Sequence, residues 1–137
     1  MPYEVSRTDD EWRAELAAEE FAVLRQAATE RPWTGALLEE KRIGVYRCRA
    51  CSNILFRAET KFDSHCGWPS FYAPTADDAV ELVEDRSLGM VRTEVRCARC
   101  GSHLGHLFDD APQTPTGDRF CMNSVSLTFE ADDGGPG

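Results

Sequence analysis

The chain has 137 residues, which is enough for one domain with a hydrophobic core. Hydrophobic residues make up 42% of it and charged residues 28%, and this composition excludes a mainly disordered polymer. A formal net charge of -9 without a concentrated basic patch excludes nucleic acid as an expected partner. No signal-like N-terminus or apolar run of about 18 residues occurs, so we expect a cytoplasmic protein with no membrane partner. We also expect a monomer.

Two short helices are predicted first along the chain. Thr8 to Glu11 has the Ser/Thr-x-x-Glu form of a capping box, which marks the start of a helix. A second helical stretch is predicted over residues 18–29, where apolar side chains recur at helical spacing, and Pro32 follows its end.

After Ile43, short segments rich in β-branched and aromatic residues are separated by Gly, Pro, Asn and Asp, which is typical of antiparallel β-structure. Residues 109–117 are predicted to form a loop, because they contain two prolines. We expect one catalytic domain over residues 1–130 and a disordered tail over 131–137. The predicted strands cover residues 44–47, 54–56, 79–83, 90–96, 103–108 and 124–129.

Four of the six cysteines form two Cys-x-x-Cys pairs, Cys48 with Cys51 and Cys97 with Cys100. Two intervening residues let both sulfurs of a turn reach one metal, so the pairs offer four thiolates for tetrahedral Zn²⁺. A closed four-sulfur site has no open position for water, which predicts one structural zinc per chain. Two redox-active pairs or a set of structural disulfides are the alternatives.

Cys66 and Cys121 remain once these four cysteines are set aside. A nucleophilic cysteine must be largely thiolate, and cationic or donating groups such as Arg119 and Asn123 favour that form. The segment 103–106 carries two imidazoles that could donate protons, or alternatively complete a metal site. From the residues alone, both cysteines could equally be buried apolar side chains.

Three motifs and the two Cys-x-x-Cys pairs resemble the methionine sulfoxide reductase B family. The motifs are Cys-Gly-Trp-Pro-Ser-Phe (66–71), His-Leu-Gly-His (103–106) and Arg-Phe-Cys-Met-Asn-Ser-Val-Ser-Leu (119–127). They occur in the family's order, and the similarity runs from about residue 9 to 129. The resemblance implies a mainly β fold of two antiparallel sheets with short N-terminal helices and a structural zinc site. His65 and Asp109 stand where the family frequently has glycine and proline.

The resemblance also implies roles for individual residues. Cys121 matches the family's nucleophile and Cys66 its resolving cysteine, while Trp68 matches the aromatic wall that receives the substrate's methyl group. Phe120, within the third motif, is expected to contact substrate. The polar network around the sulfoxide oxygen is matched by His103, His106, Asp110, Arg119 and Asn123.

A chain with these roles would reduce the R epimer of methionine sulfoxide in oxidised proteins and peptides, a repair of oxidative damage. Cys121 would become a sulfenic acid, Cys66 would convert it to a Cys66–Cys121 disulfide, and thioredoxin would reduce that disulfide. Two rival functions are a zinc-stabilised binding module without activity and a dithiol oxidoreductase that works through its Cys-x-x-Cys pairs.

Overall fold

Two α-helices precede nine β-strands in the computed structural model, which describes residues 3–132 apart from the side chain of Leu88. The helices are α1 (Asp9–Glu15) and α2 (Ala18–Gln26). The strands are β1 (Gly44–Cys48), β2 (Ile54–Arg57), β3 (Lys61–Phe62), β4 (Ser70–Phe71), β5 (Val80–Asp85), β6 (Arg92–Cys97), β7 (His103–Phe108), β8 (Arg119–Met122) and β9 (Leu127–Ala131). Among the described residues, no helix is both long and apolar enough to cross a membrane.

The predicted capping box is present at the start of α1. The Thr8 hydroxyl accepts from the Glu11 amide at 3.2 Å, and the Glu11 carboxylate accepts from the Thr8 amide at 2.8 Å. The second helix is shorter than predicted, because Ala27 has a left-handed backbone with φ of 57° and closes α2 after Gln26.

The strands form two antiparallel sheets, which confirms the predicted mainly β fold class. One sheet has the order β2-β1-β9, and the other has the order β3-β4-β8-β7-β6-β5. An aromatic cluster lies between them: the Phe71 ring of β4 stacks on Phe56 of β2 at 4.4 Å and meets Tyr46 of β1 edge-on at 5.0 Å. This contact fixes the second sheet, which carries the candidate site, against the first.

The predicted strand list was incomplete and wrong at one end. Strands β3, β4 and β8 were not predicted, since two to four residues are too few for an alternating pattern to be visible. Ser124–Ser126 forms a 3-10 turn, so the last strand begins at Leu127. It ends at Ala131, which is buried opposite Gly44 rather than part of a tail. Residues 133–137 lie outside the described residues.

Candidate functional site

The four cysteines of the two Cys-x-x-Cys pairs lie together, as the sequence predicts. The Sγ atoms of Cys48 and Cys100 are 3.7 Å apart, those of Cys51 and Cys97 are 3.5 Å apart, and all four lie within 4.8 Å of one another. Sulfurs bound tetrahedrally to zinc at about 2.3 Å are separated by about 3.8 Å, so this cluster has the dimensions of a four-thiolate metal site.

Two equivalent turns build the cluster, one after β1 and one after β6. Ser52 and Gly101 each follow the second cysteine of a pair, with φ of 67° and 77°. Their amides donate at 2.8 Å to the carbonyls of Cys48 and Cys97. Crowding of the thiols, chiefly by Cys100, raises the pKa of Cys48. A bound cation would offset this, because it stabilises neighbouring thiolates.

The other two cysteines form a separate pair. The Sγ atoms of Cys66, in the loop between β3 and β4, and Cys121, in β8, are 3.4 Å apart. The loop is tightly turned, since His65 has a φ of 59°, in the region that glycine favours. Ser64 donates to the Cys66 sulfur at 2.9 Å.

The reduced pair divides its charge unequally. The pKa of Cys66 is lowered to about 4, above all because the Cys121 thiol donates to it. The same hydrogen bond, together with burial, raises the pKa of Cys121, while Arg119 acts in the opposite direction. The hydrogen bond between the two sulfurs therefore favours the thiolate on Cys66, whereas the Arg119 charge favours it on Cys121.

A cleft of about 90 Å³ opens beside Cys121, and it unites several residues from different predicted motifs. The predicted site residues in its wall are Trp68, His106, Cys121 and Asn123. The residues in its wall that the sequence analysis did not single out are Thr29, Arg92, Gly105 and Phe108.

Glu30, in the segment between α2 and β1, holds the cleft wall together. The Trp68 indole donates to its carbonyl oxygen at 3.0 Å, and its amide donates to Asn123 Oδ1 at 3.0 Å. Its carboxylate accepts from the Val125 amide at 2.9 Å. Asn123 Nδ2 donates to the Leu104 carbonyl at 3.1 Å, so the Asn123 amide group positions backbone segments on both sides of the cleft.

Arg119 and Asp110 form a bidentate ion pair next to the cysteines. Arg119 Nε and Nη2 donate to the two carboxylate oxygens at 2.9 and 3.0 Å, which lowers the pKa of Asp110. The guanidinium also lies 4.4 Å from the centre of the Phe108 ring. Asp110 therefore holds Arg119 where its charge acts on Cys121.

Phe120 does not belong to the cleft, which corrects its expected role. Successive side chains of a strand point to opposite faces, and in β8 Phe120 is buried in the core while Arg119 and Cys121 are partly accessible. The Phe120 ring packs 5.8 Å from Phe56. Phe108, the last residue of β7, supplies aromatic surface to the cleft instead.

The two histidines of β7 have separate carboxylate partners. His106 lines the cleft, and its Nε2 lies 2.8 Å from Asp85 Oδ2. His103 is buried, its Nδ1 lies 2.7 Å from Glu94 Oε2, and burial lowers its pKa. The rings are 5.5 Å apart, so His106 is the imidazole next to the cleft and His103 lies behind it.

Gly105 lets β7 approach β8 closely, since a β-carbon there would overlap with the Cys121 carbonyl oxygen. We expect Gly105→Ala to lower the free energy of unfolding by about 2–3 kcal/mol, because an overlap with backbone is relieved only by moving a strand. Urea denaturation measures this loss. Gly89→Ala is the comparison without overlap: a β-carbon there has open space around it, so its loss reports only the strain of a side chain at a left-handed φ of 70°. A smaller loss for Gly105→Ala than for Gly89→Ala would contradict the expectation.

Comparison with known proteins agrees with this arrangement. The SelR domain family matches residues 16–131. The peptide methionine sulfoxide reductase MsrB of Leifsonia xyli subsp. xyli is 63% identical over 96% of this chain and 94% of its own length. Those of Pseudomonas putida (strain W619) and Leptospira interrogans are 54% and 49% identical over 95% of this chain, and over 97% and 98% of their own lengths. With such identity along nearly its whole length, the chain belongs to the methionine sulfoxide reductase B family.

Proposed function

We propose that this chain reduces the R epimer of methionine sulfoxide in peptides and proteins, with thioredoxin as reductant, in the repair of oxidative damage. The observation that carries the proposal is the Cys66–Cys121 pair, 3.4 Å apart, with Cys121 in the wall of a cleft that also contains Trp68 and His106. We further propose that it acts as a monomer in the cytoplasm, where thioredoxin-type dithiols are reduced.

In the first step, the Cys121 sulfur attacks the sulfoxide sulfur and the S–O bond breaks. The oxygen passes to Cys121 as a sulfenic acid, and methionine leaves, so the cysteine loses the two electrons that the sulfoxide gains. His106 supplies the proton that the oxygen requires, directly or through water, because it lines the cleft. His103 supports it from behind.

Two groups would prepare Cys121 and the substrate. Arg119 favours the Cys121 thiolate, since its positive charge lowers the pKa of that thiol. Trp68 would receive the substrate's methyl group against its half-buried ring, with the oxygen directed to His106. A chiral sulfoxide held at both substituents presents its sulfur to Cys121 in one epimer, and the R assignment comes from the family.

In the second step, the Cys66 thiolate attacks the Cys121 sulfenic acid and water leaves. Hydrogen bonds from Ser64 and Ser70, which lower the pKa of Cys66, do not depend on the Cys121 thiol and favour the Cys66 thiolate in this step. Forming a disulfide of about 2.05 Å requires only a small further approach of the two sulfurs. The dithiol of thioredoxin then returns two electrons and two protons.

We propose that Cys48, Cys51, Cys97 and Cys100 hold one Zn²⁺, whose contribution is to cross-link the turns after β1 and β6. With four protein sulfurs the site is closed, so the proposed reaction takes place on this chain's own side chains. The cross-link ties the sheet that contains β1 to the sheet that contains β6.

Cys66→Ser is expected to keep one turnover and to lose thioredoxin-supported recycling by at least about tenfold, since the sulfenic acid has no partner thiol. The pKa of Cys121 should fall, because a serine hydroxyl donates without becoming an anion. Sulfoxide consumed per enzyme in the first turnover and the pH dependence of Cys121 alkylation measure the two effects. Undiminished recycling with thioredoxin would remove Cys66 from the resolving role.

A thioredoxin-coupled assay on separate R and S epimers of a peptidyl methionine sulfoxide tests the function as a whole. We expect turnover of the R epimer and essentially none of the S epimer, with a Cys66–Cys121 disulfide when thioredoxin is omitted. A binding module would instead leave both thiols free after sulfoxide is added.

A further inference from the structure

We infer that Asp85 is a positioning residue for His106, holding its imidazole in the orientation and protonation state that sulfoxide reduction requires. This inference rests on the proposed function, in which His106 supplies the proton. Nothing in the motifs around the cysteines points to Asp85, which ends β5, two strands away from β7.

The contact reaches across β6. Asp85 Oδ2 lies 2.8 Å from His106 Nε2, and the side chains are 19% and 13% exposed, so water screens the pair little. Asp85 pairs in register with Arg92, and Glu94, two residues further along β6, pairs with His106. Residues two apart in a strand share a face, which is how Asp85 and His106 come to the same side of the sheet.

Asp85 is itself fixed by neighbouring donors. The Ser87 amide donates to its Oδ1 at 2.9 Å, and Arg92 Nη2 donates to its Oδ2 at 3.3 Å. These bonds, the Ser87 amide first and then His106, hold the pKa of Asp85 well below its usual range. A fixed, ionised carboxylate therefore faces His106 at neutral pH.

Glu94 lies directly opposite His106 on β6, but it is not the carboxylate that His106 contacts. Its oxygens are already engaged: Oε2 lies 2.7 Å from His103 Nδ1, and Oε1 lies 3.0 Å from Arg96 Nη2. Each histidine thus has its own carboxylate, and Asp85 is the one that serves the histidine in the cleft.

This arrangement has a chemical consequence. A carboxylate accepts, so it selects the ring with a proton on Nε2 and leaves Nδ1 as the second ring nitrogen. It also stabilises a ring that carries both protons, which can release one from Nδ1 while the Nε2 bond to Asp85 is kept. His103 is the other titratable group of β7. The elements packed against β7 carry the following charged and titratable groups: Glu19, Glu20 and Arg25 of α2, Arg92, Glu94, Arg96 and Cys97 of β6, and Arg119 and Cys121 of β8.

The test compares three variants in sulfoxide reduction supported by a small dithiol, over pH 5 to 9. Asp85→Asn removes the charge at nearly constant shape, Asp85→Glu restores it, and Glu84→Gln is the matched control. Glu84 is the preceding residue of β5, is exposed, and pairs with Arg86 at 2.8 Å. We expect Asp85→Asn to lower kcat about tenfold and to move the alkaline decline of the pH–rate profile to lower pH. Asp85→Glu should recover part of both effects, and Glu84→Gln should match the wild type.

Two results would overturn the inference. One is an Asp85→Asn enzyme whose pH–rate profile keeps the wild-type shape, even if its melting temperature falls, because that is the mark of a purely structural role. The other is no recovery in Asp85→Glu. The proposed function has a separate failure, which is a wild-type protein that does not reduce the R sulfoxide at all, and that result would overturn both.

Discussion

Cys121→Ser is expected to abolish reduction of the R sulfoxide, with a loss of about 10³-fold or more, because a serine hydroxyl is almost never ionised at neutral pH. Cys121 is the sulfur that lines the cleft, and His106 pairs with it in register across β7 and β8. The variant should fold normally, since an oxygen occupies less space than a sulfur at a partly accessible position. Initial rates with the R epimer and a small dithiol measure the loss.

The small dithiol is used because it separates the reduction of the sulfoxide from the thioredoxin-dependent reduction of the Cys66–Cys121 disulfide. Cys66→Ser is the matched control: it removes the other sulfur of the same pair, and its first turnover should persist. A Cys121→Ser protein with wild-type rates would overturn the proposed mechanism and direct attention to Cys66, whose pKa is already lowered to about 4. If both variants lost the first turnover, both sulfurs of the pair would be required for the attack on the sulfoxide.

The four-cysteine cluster could be predicted from the sequence because the spacing that builds it is local. Cys-x-x-Cys sets the separation of two sulfurs within one turn, and two such turns in one chain leave few alternatives. The joining of the turns after β1 and β6 needed no knowledge of the sheets. The capping box at Thr8 was predictable for the same reason, since its four residues contain both hydrogen-bonding partners.

The cleft was only partly predictable, because strand register decides which side chains face it. Trp68, His106 and Cys121 were placed by their motifs, and the structure brings them together. Phe120 was misplaced because β8 was not recognised: alternation along that strand directs Phe120 to the core whenever Cys121 faces the cleft. Recognising Arg119–Met122 as a strand would have corrected it.

The partners of the site could not be predicted, because they come from distant parts of the chain. Glu30 reaches Trp68 and Asn123 across 38 and 93 residues, and Asp85 reaches His106 across 21 residues and an intervening strand. No spacing rule connects such positions in a single sequence. They follow from the strand order β8-β7-β6-β5 and from the course of the segment after α2.

Loss of the proposed zinc ion is expected to have the largest effect on stability. Cys51→Ser replaces one of four ligands, and structural zinc in small domains contributes roughly 10–16 kcal/mol of apparent binding free energy. Total stabilities of domains are about 5–15 kcal/mol, so we expect the variant to be largely unfolded or to melt at least about 10 °C lower. Metal content by atomic absorption should fall from about one zinc per chain to well below it.

Cys66→Ser is again the control, because it removes a thiol without touching the cluster and should retain its zinc and its melting temperature. The comparison separates the structural site from the rival in which the Cys-x-x-Cys pairs are redox-active. That rival requires Cys51→Ser to lose activity while zinc content and folding stay at wild-type levels. A cross-link between β1 and β6 requires the opposite order: zinc leaves first, the two sheets separate, and activity is lost because the sheet that carries Cys66 and Cys121 loses its packing against the other sheet.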